Sequence, residues 1–282
     1  MAERQRQHGR ADGTVVVAAL MAGLWTTATA CSGGAAAESA QAATTPLETL
    51  HHAADILREA GSSRTRTSME MATGGTRVTI SGTGVYDFTR QRGRLKVRLP
   101  QDPAGRTADH PITELLSPGA LFMKNRGAGV PSDKWVRIDT ATISDGNLVT
   151  GGATDPYTAA EVLRGAEQAT YVGATSGDDG TRLHHYRGTA DLTKAAQAAS
   201  PTTRPSLTAA AKGFASAQVP FDAYLDDKGR IRKLRHRFSF VNGREQSPVS
   251  VASTTLLYDF GTPANVRLPP KKDIYAGRIA ED

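Results

Sequence analysis

The stretch that decides the fold is "TRVTISGTGVYDF", which runs from Thr76 to Phe88. Its apolar residues and glycines share one parity: Val78, Ile80, Gly82, Gly84, Tyr86 and Phe88. The other parity is polar or charged, with the single exception of Val85. Alternation held over the whole stretch predicts one long strand with a buried face and an exposed face. Gly82 and Gly84 lie on the apolar face, where missing side chains let a sheet bend sharply inward.

The segments on either side of this stretch predict its partner strands. Upstream, "TRTSMEMA" (65–72) alternates in the same way and is separated from Thr76 by a Gly74-Gly75 turn signal. Downstream of Gly93, "RLKVRL" places its apolar residues on one face. We therefore expect a curved antiparallel sheet with an apolar cavity against its inner face. The candidate lining residues are Met69, Met71, Val78, Ile80, Tyr86, Phe88, Leu95 and Val97.

An amphipathic helix is predicted before the first strand. Thr45 can cap it, Pro46 suits its first position, and Glu48 stands three residues after the cap. Apolar residues then recur at helical spacing until Gly61. We predict a helix from Pro46 to Ala60.

The remainder of the chain mixes helical and strand patterns. Helices are predicted from Pro156 to about Arg164, from Leu192 to Ala199 and from Leu207 to Ala217, with "ITELLSP" (112–118) as a short helical turn. Strands are predicted in "ALFMKN", "WVRID", "ATYVGAT", "TRLHHYRGTADL", "VPFDAYLDDKGRIRKLRHRFSF" and "PVSVASTTLLYDFG". The expected fold class is α+β: a strongly curved antiparallel sheet, or half-open barrel, with helices covering its concave face. It occupies one domain over residues 46–275, and a polar tail follows at 276–282.

The first thirty residues have the pattern of an export signal. Arg4, Arg6 and Arg10 precede an apolar run from Thr14 to Trp25, and small residues follow at 28–30. The apolar run is shorter than the roughly 20 residues that a membrane-spanning helix needs. We therefore predict a signal peptide at 1–30 and an extracytoplasmic protein.

Cys31 is the only cysteine in the chain and directly follows the small residues. This junction resembles a bacterial lipobox, which implies a diacylglyceryl group on the Cys31 thiol and an acyl (palmitate-type) anchor in the cell membrane. Residues 32–45 contain no large apolar residue and are expected to form a flexible tether. Two alternatives remain open at this stage: soluble secretion after cleavage behind Ala30, and an uncleaved anchor.

No catalytic or cofactor motif is present in the sequence. His51-His52 lie next to each other in a predicted helix and His184-His185 in a predicted strand, so the two rings of each pair point apart. We expect surface or satisfied core histidines, with a metal site as the alternative. The prediction is that the protein is not an enzyme and has no catalytic residue, metal or cofactor.

One cluster of basic residues stands out in "GRIRKLRHR". It contains Arg230, Arg232, Lys233, Arg235 and Arg237. The cluster fits either a solvated strand face or a patch for anionic headgroups or acidic glycolipid. Without residues 1–30 the chain keeps 31 basic and 26 acidic residues, and this formal net charge of +5 suits approach to an anionic membrane. Export argues against nucleic acid as a partner, and we expect a monomer.

Four stretches resemble a known family. They are "KWVRID" (134–139), "HHYRGTADL" (184–192), "VPFDAYLDDKGRIRKL" (219–234) and "LYDFGTPANVRLPP" (257–270). With the order of elements between them, they resemble actinobacterial LppX/LprG-type lipoproteins, which belong to the wider LolA-like carrier architecture. The resemblance implies a half-open barrel with helices over its concave side, an apolar cavity between the two, and carriage of lipid or lipoglycan.

Two functions are consistent with these observations. The first is a membrane-anchored lipoprotein that binds or carries a lipid or other amphiphile in an apolar cavity. The second is a cell-envelope interaction or sensory lipoprotein with a filled core and a protein partner. An enclosed cavity well above a few hundred Å³ would favour the first function, and a collapsed core with a large exposed apolar patch would favour the second.

Overall fold

The structure, a computed structural model, describes residues 44–73, 76–100, 111–127, 129–150, 154–241 and 248–276. The helices are α1 (Pro46–Glu59), α2 (Pro156–Val162), α3 (Leu192–Ala198) and α4 (Arg204–Gly213). The strands are β1 (Ser62–Thr73), β2 (Thr76–Asp87), β3 (Arg92–Arg98), β4 (Ile112–Ser117), β5 (Ala120–Lys124), β6 (Val136–Asp139), β7 (Ala166–Ser176), β8 (Arg182–Asp191), β9 (Gln218–Asp226), β10 (Ile231–Val241) and β11 (Pro248–Tyr258).

The strands form a single antiparallel sheet in the order β6-β5-β4-β3-β2-β1-β11-β10-β9-β8-β7. Every neighbouring pair is consecutive in sequence except β1 and β11, which join the two halves at the centre. The sheet does not close, because β6 and β7 lie at its two edges. The predicted α+β class, a curved antiparallel sheet with helices, is confirmed.

Two glycines mark points where neighbouring strands come very close. A Cβ atom on Gly84 would lie 2.0 Å from the carbonyl oxygen of Arg94 on β3. A Cβ atom on Gly188 would lie 1.9 Å from the carbonyl oxygen of Gln168 on β7. No side chain fits at either position, so each half of the sheet contains a place that only glycine can occupy.

Helix α1 begins as the sequence predicts. The Thr45 hydroxyl accepts a hydrogen bond from the Glu48 N–H at 3.2 Å, and the Glu48 carboxylate accepts one from the Thr45 N–H at 2.8 Å. This reciprocal capping box satisfies two donors at the helix start. Its apolar face is buried, with Leu50 and Leu57 fully inaccessible to solvent.

Contacts between α1 and the segment after α2 hold the helical layer together. The Arg164 guanidinium donates to both carboxylate oxygens of Asp55, at 2.8 and 3.0 Å. Burial lowers the pKa of Arg164 and the Asp55 carboxylate raises it, with a net increase. The imidazole Nε2 of His51 lies 3.0 Å from the carbonyl oxygen of Ala166, where β7 begins. The helices are thereby fixed to one another and to the edge of the sheet.

The prediction of a helical turn at 112–118 is wrong, because this segment is strand β4. Leu115 and Leu116 point to opposite faces of the sheet, and both are buried. Leu116 belongs to the main core, whereas Leu115 packs in a second cluster with Ala120 and Phe122. Burial on both faces removes the alternation that identifies a strand in sequence.

The second cluster exists because the C-terminal segment crosses the convex face. Trp135, Val266, Leu268 and Ile274 pack against it. The Trp135 N–H donates to the Asp273 carbonyl and the Tyr275 N–H donates to the Trp135 carbonyl, both at 2.8 Å. These bonds lie immediately before edge strand β6.

Candidate functional site

The eight residues predicted to line the inner face all lie on the face of the sheet that packs against the helices. Six of them are buried, and Met71 and Val78 are half-buried. These two are directly opposite each other in the β1–β2 register, beside the turn that joins the two strands. The inner face is therefore most accessible at this end.

A small polar cavity lies between the sheet and the helices. It has a volume of about 30 Å³ and lies among polar side chains, with Tyr86, Asp155 and Thr203 in its wall. This volume has room for about one water molecule. The Tyr86 hydroxyl donates to the Asp155 carboxylate, which also accepts the N–H groups of Tyr157 and Thr158 at the start of α2. Burial raises the pKa of Asp155.

A band of polar side chains crosses the otherwise apolar inner face. We call it the polar stripe, and it consists of Thr65, Thr67, Ser253, Thr255 and His236. Thr67 lies opposite Thr255 in the β1–β11 register, and Ser253 lies opposite His236 in the β10–β11 register. All five side chains are buried.

Most of the polar stripe is without a hydrogen-bond partner among the described residues. The unpaired atoms are the Thr65, Thr67 and Thr255 hydroxyls and the His236 Nε2. Only Ser253 is paired, through a 2.6 Å contact between its hydroxyl and that of Thr154. Burial lowers the pKa of His236 to about 3, so its ring is neutral at physiological pH. Each unpaired buried group costs about 1–3 kcal/mol.

Glu114 on β4 is a further buried polar group of the inner face. It lies opposite Leu95 of β3 and Met123 of β5, and its side chain has no exposed area. Neither carboxylate oxygen has a hydrogen-bond partner among the described residues. Burial raises the pKa of Glu114 to about 8, against a smaller opposing effect of Arg126. The carboxyl group is therefore mostly protonated and uncharged at pH 7.

The predicted basic cluster divides into two parts. The Arg230 guanidinium donates to Asp226 at 2.8 Å, and that of Arg232 donates to Asp179 at 2.6 Å. Both are fixed at the end of the sheet where β9 turns into β10. Lys233, Arg235 and Arg237 instead alternate along β10 on its convex face.

Asp222 organises the convex face beside these cations. It is buried and accepts hydrogen bonds from Arg187 at 2.8 Å and from Arg237 and His185 at 2.9 Å. Burial raises the pKa of Asp222, but these hydrogen bonds outweigh it and hold the pKa at about 2. The His185 ring also stacks on Tyr224, with ring centroids 4.2 Å apart.

A groove of about 640 Å³ opens on the convex face between the β7–β8 turn and strands β10 and β11. Leu256, Tyr224 and Tyr258 contribute apolar surface to it, and Arg66 and Lys233 contribute positive charge. Asp178, Asp179 and Asp259 line it as well, so the groove combines an apolar wall with charges of both signs.

The other predicted sites are placed as follows. His184 contacts Asp227 at 2.8 Å on the opposite face of β8 from His185, so the two rings point apart. Within the described ranges, no three His, Cys, Asp or Glu side chains come together as a metal site.

The described helices include none long and apolar enough to cross a membrane. Cys31 and the export signal lie outside the described residues.

Sequence reasoning missed the polar stripe and Glu114. The inward parity of Thr65 and Thr67 is visible in the sequence, but their pairing with Thr255 depends on the β1–β11 register. That register joins segments from the two ends of the domain, so no local pattern indicates it. The inward position of Glu114 could not be predicted, because its segment has no clear strand pattern.

Comparisons with known proteins give a likeness in fold. No family model and no curated protein matches the chain. Among solved structures, lipoprotein LppX of Mycobacterium tuberculosis matches 78% of this chain and 97% of its own, at 10% identity and a TM-score of 0.45. LprF of Mycobacterium bovis matches 79% and 96%, at 13% identity and a TM-score of 0.41. A putative outer membrane lipoprotein-sorting protein domain of Vibrio parahaemolyticus matches 76% and 94%, at 10% identity and a TM-score of 0.28. The resemblance expected from the sequence thus reappears among solved structures, as a similarity of fold to lipoproteins and a lipoprotein-sorting domain.

Proposed function

We propose that this chain is an exported, membrane-tethered lipoprotein that binds an amphiphile between the inner face of its sheet and its helices. Cys31 carries the lipid tether, and the domain lies on the extracytoplasmic face of the membrane. The observation that carries the proposal is the polar stripe, a buried set of unpaired hydroxyl and imidazole groups flanked by apolar surface on both sides.

The choice of residue types supports this function. Threonine and valine have nearly the same shape, so valine at positions 67 and 255 would fill the same space. Valine would also avoid the cost of an unpaired buried hydroxyl, about 1–3 kcal/mol at each position. In a core that serves only as packing, threonine at these positions gains no hydrogen bond. It suits a site that forms hydrogen bonds with a ligand.

The chemistry of the stripe defines the class of ligand. Its members are neutral, since burial keeps His236 uncharged and the others are hydroxyl groups. Neutral donors and acceptors fit ester, amide or hydroxyl groups better than an ionised headgroup. The apolar residues on the two sides, such as Ile80 on β2 and Phe238 on β10, suit hydrocarbon chains. A lipid with ester or hydroxyl groups between its chains and its headgroup has both features.

The small polar cavity is too small to hold the proposed ligand as it stands. At about 30 Å³ it has no room for an acyl chain, so an amphiphile that bound there would displace side chains or the helical layer. The half-buried Met71 and Val78 mark the end of the inner face where entry needs least displacement. We expect amide hydrogen exchange in α1 and α2 to differ between lipid-loaded and delipidated protein.

The test compares two double variants with the parent protein. Thr67→Val/Thr255→Val removes two unpaired hydroxyls of the stripe, and Thr79→Val/Thr83→Val makes the same change on the exposed face of β2. Native mass spectrometry of protein purified from membranes measures bound lipid, and thermal unfolding measures stability. We expect the stripe variant to be as stable as the parent or more so and to carry less lipid, and the control to carry the parent's load. A parent without co-purified amphiphile, or equal loads in all three proteins, contradicts the proposal.

The tether has its own test. Cys31→Ala should transfer the protein from the membrane fraction to the medium or block its processing. The mass of the N-terminal peptide of the parent should include the acyl groups. Equal membrane retention of the variant, with no lipid mass on the parent, contradicts the tether.

A second candidate function is interaction with a protein partner in the cell envelope. The small volume of the polar cavity, about 30 Å³, favours it, because such a domain needs no internal space for a ligand. The same lipid measurement separates the two functions. If no amphiphile is found on the parent protein, interaction with a protein partner replaces amphiphile binding as the proposed function.

A further inference from the structure

We propose that the convex face of the sheet binds an anionic membrane surface. This inference concerns the face opposite the proposed amphiphile site and does not depend on it. It rests on the cross-strand register, which brings cations from distant parts of the chain into line.

The first line of cations crosses five adjoining strands. In register, Lys96 of β3 lies opposite Thr83, Thr83 opposite Arg66 of β1, Arg66 opposite Leu256, and Leu256 opposite Lys233 of β10. We call Lys96, Arg66 and Lys233 the cation row. Since neighbouring strands lie about 4.8 Å apart, its members stand roughly 10 Å apart. Neutral side chains separate them.

A second line runs parallel to the first and is displaced from it by two residues along each strand. It contains Arg98 of β3, Arg235 of β10 and Arg187 of β8. Small polar residues fill the positions on β2, β1 and β11, and Asp222 lies between the last two arginines. Asp222 is buried beneath its partners, so the cations are the groups that face solvent. Cations therefore recur on every second strand in the first line, whereas in the second line Arg98 and Arg235 are four strands apart and Arg235 and Arg187 are two strands apart.

Most of the described carboxylates on this face are paired with an arginine, as Asp179 is with Arg232 at 2.6 Å. Glu70 lies 3.8 Å from Arg235, and Asp259 lies 3.5 Å from Arg64 at the end of β11. Lys96, Arg98 and Arg66 have no ion pair with a described residue. Among the described residues this face therefore carries more cations than carboxylates, and it attracts a surface with many negative charges.

The groove decides between a membrane and a soluble polyanion. Arg66 and Lys233 flank it, and Leu256, Tyr224 and Tyr258 give it an apolar wall. Of the three carboxylates in its lining, Asp179 is paired with Arg232 and Asp259 with Arg64, which leaves Asp178. Tyrosine with a neighbouring cation is typical of the membrane–water interface, where rings contact the glycerol region and cations contact phosphate. A polyanion such as nucleic acid or polyphosphate would use the cations and leave the aliphatic wall without a partner.

The experiment measures flotation with vesicles. Every protein carries Cys31→Ala, so that no acyl chain contributes, and the vesicles are phosphatidylcholine alone or phosphatidylcholine mixed with phosphatidylglycerol. The test variant is Arg66→Gln/Lys96→Gln/Lys233→Gln. The matched control is Arg58→Gln/Lys194→Gln/Lys212→Gln, which removes the same charge from helices α1, α3 and α4. All substituted residues are exposed or half-exposed, and thermal unfolding checks that each variant is folded.

The parent should float with vesicles that contain phosphatidylglycerol and not with phosphatidylcholine alone. At about 1 kcal/mol for each cation at the surface, loss of the cation row should weaken partitioning by roughly 100-fold. The control should keep most of the parent's binding. Raising the salt from about 0.1 M to about 1 M, where the Debye length falls from roughly 10 Å to 3 Å, should release the parent.

Three results would overturn the inference. The first is a parent protein that does not bind vesicles containing phosphatidylglycerol. The second is an equal loss of binding in both triple variants, which would attribute the attraction to net charge. The third is a parent that binds soluble polyphosphate but not vesicles, which would replace the membrane by a polyanion.

Discussion

The buried carboxyl group of Glu114 gives the sharpest prediction about stability. Its pKa is about 8 in the folded protein, and its ordinary value is 4.5. The folded state therefore keeps the proton over a pH range in which the unfolded state has released it. Below pH 4.5 the group has no effect on the pH dependence of folding. Between pH 4.5 and 8 the free energy of unfolding falls by about 1.4 kcal/mol per pH unit, to a total loss of about 5 kcal/mol.

The perturbation is Glu114→Gln, which keeps the size of the side chain and removes its proton equilibrium. We expect the variant to gain stability relative to the parent as the pH rises from 5 to 8, with a constant difference above pH 8. Urea unfolding at a series of pH values from 5 to 9 measures the free energy of both proteins. Glu59→Gln, an exposed position on α1, is the control and should run parallel to the parent. Stability curves of parent and Glu114→Gln that stay parallel within about 1 kcal/mol would refute the reasoning, since a fully buried and unpaired carboxyl group requires the coupling.

The remaining predictions concern other positions of the sheet. Because the folded-state pKa of His236 is about 3 against an ordinary 6.5, stability should fall as the pH drops below 6.5, and urea unfolding of His236→Gln should show a weaker fall; equal slopes in both proteins would contradict this. Gly84→Ala should destabilise the domain by about 3 kcal/mol or more, since the new methyl group meets the Arg94 carbonyl at 2.0 Å and a backbone atom cannot rotate away; an unchanged melting temperature would count against it. Ile80→Trp adds bulk at a buried position of the inner face and should cost about 1–3 kcal/mol, as read from thermal unfolding. Leu268→Ser should loosen the C-terminal segment and raise amide exchange at Trp135, whose N–H donates to that segment, whereas global stability should fall less.

Much of the fold could be predicted from local patterns. The parity of Val78 to Phe88 identifies β2 and its inner face, and the capping residues Thr45 and Glu48 locate the start of α1. Both signals are short-range, because they depend on the two-residue period of a strand and on bonds within one helical turn. Strand β4 was not predicted, because burial on both faces leaves no alternation of apolar and polar residues in its sequence.

The candidate sites depend on long-range pairing and were much harder to predict. The alternating cations of β3 are readable in "RGRLKVR", and those of β10 in "RKLRHR". Their alignment with Arg66 follows only from the positions of β1 and β11 between them. The same pairing assembles the polar stripe, in which Thr67 meets Thr255. Sequence patterns can assign a residue to a face, but they do not say which distant residue shares its row.

The pairing of the first strand with the last also governs the order in which the domain can fold. Hairpins such as β2–β3 and β9–β10 form by closing short loops. Strand β1 can pair on its other side only with β11, which comes from the far end of the domain. Pairs of such wide separation form late and slow the folding of antiparallel sheets. Until β11 is synthesised, the inner strands of both halves have open edges, which are sites of aggregation. A chain truncated before Pro248 keeps most of its helices and strands but lacks the strand that joins them, and we expect it to be degraded rather than to persist as a partly active fragment.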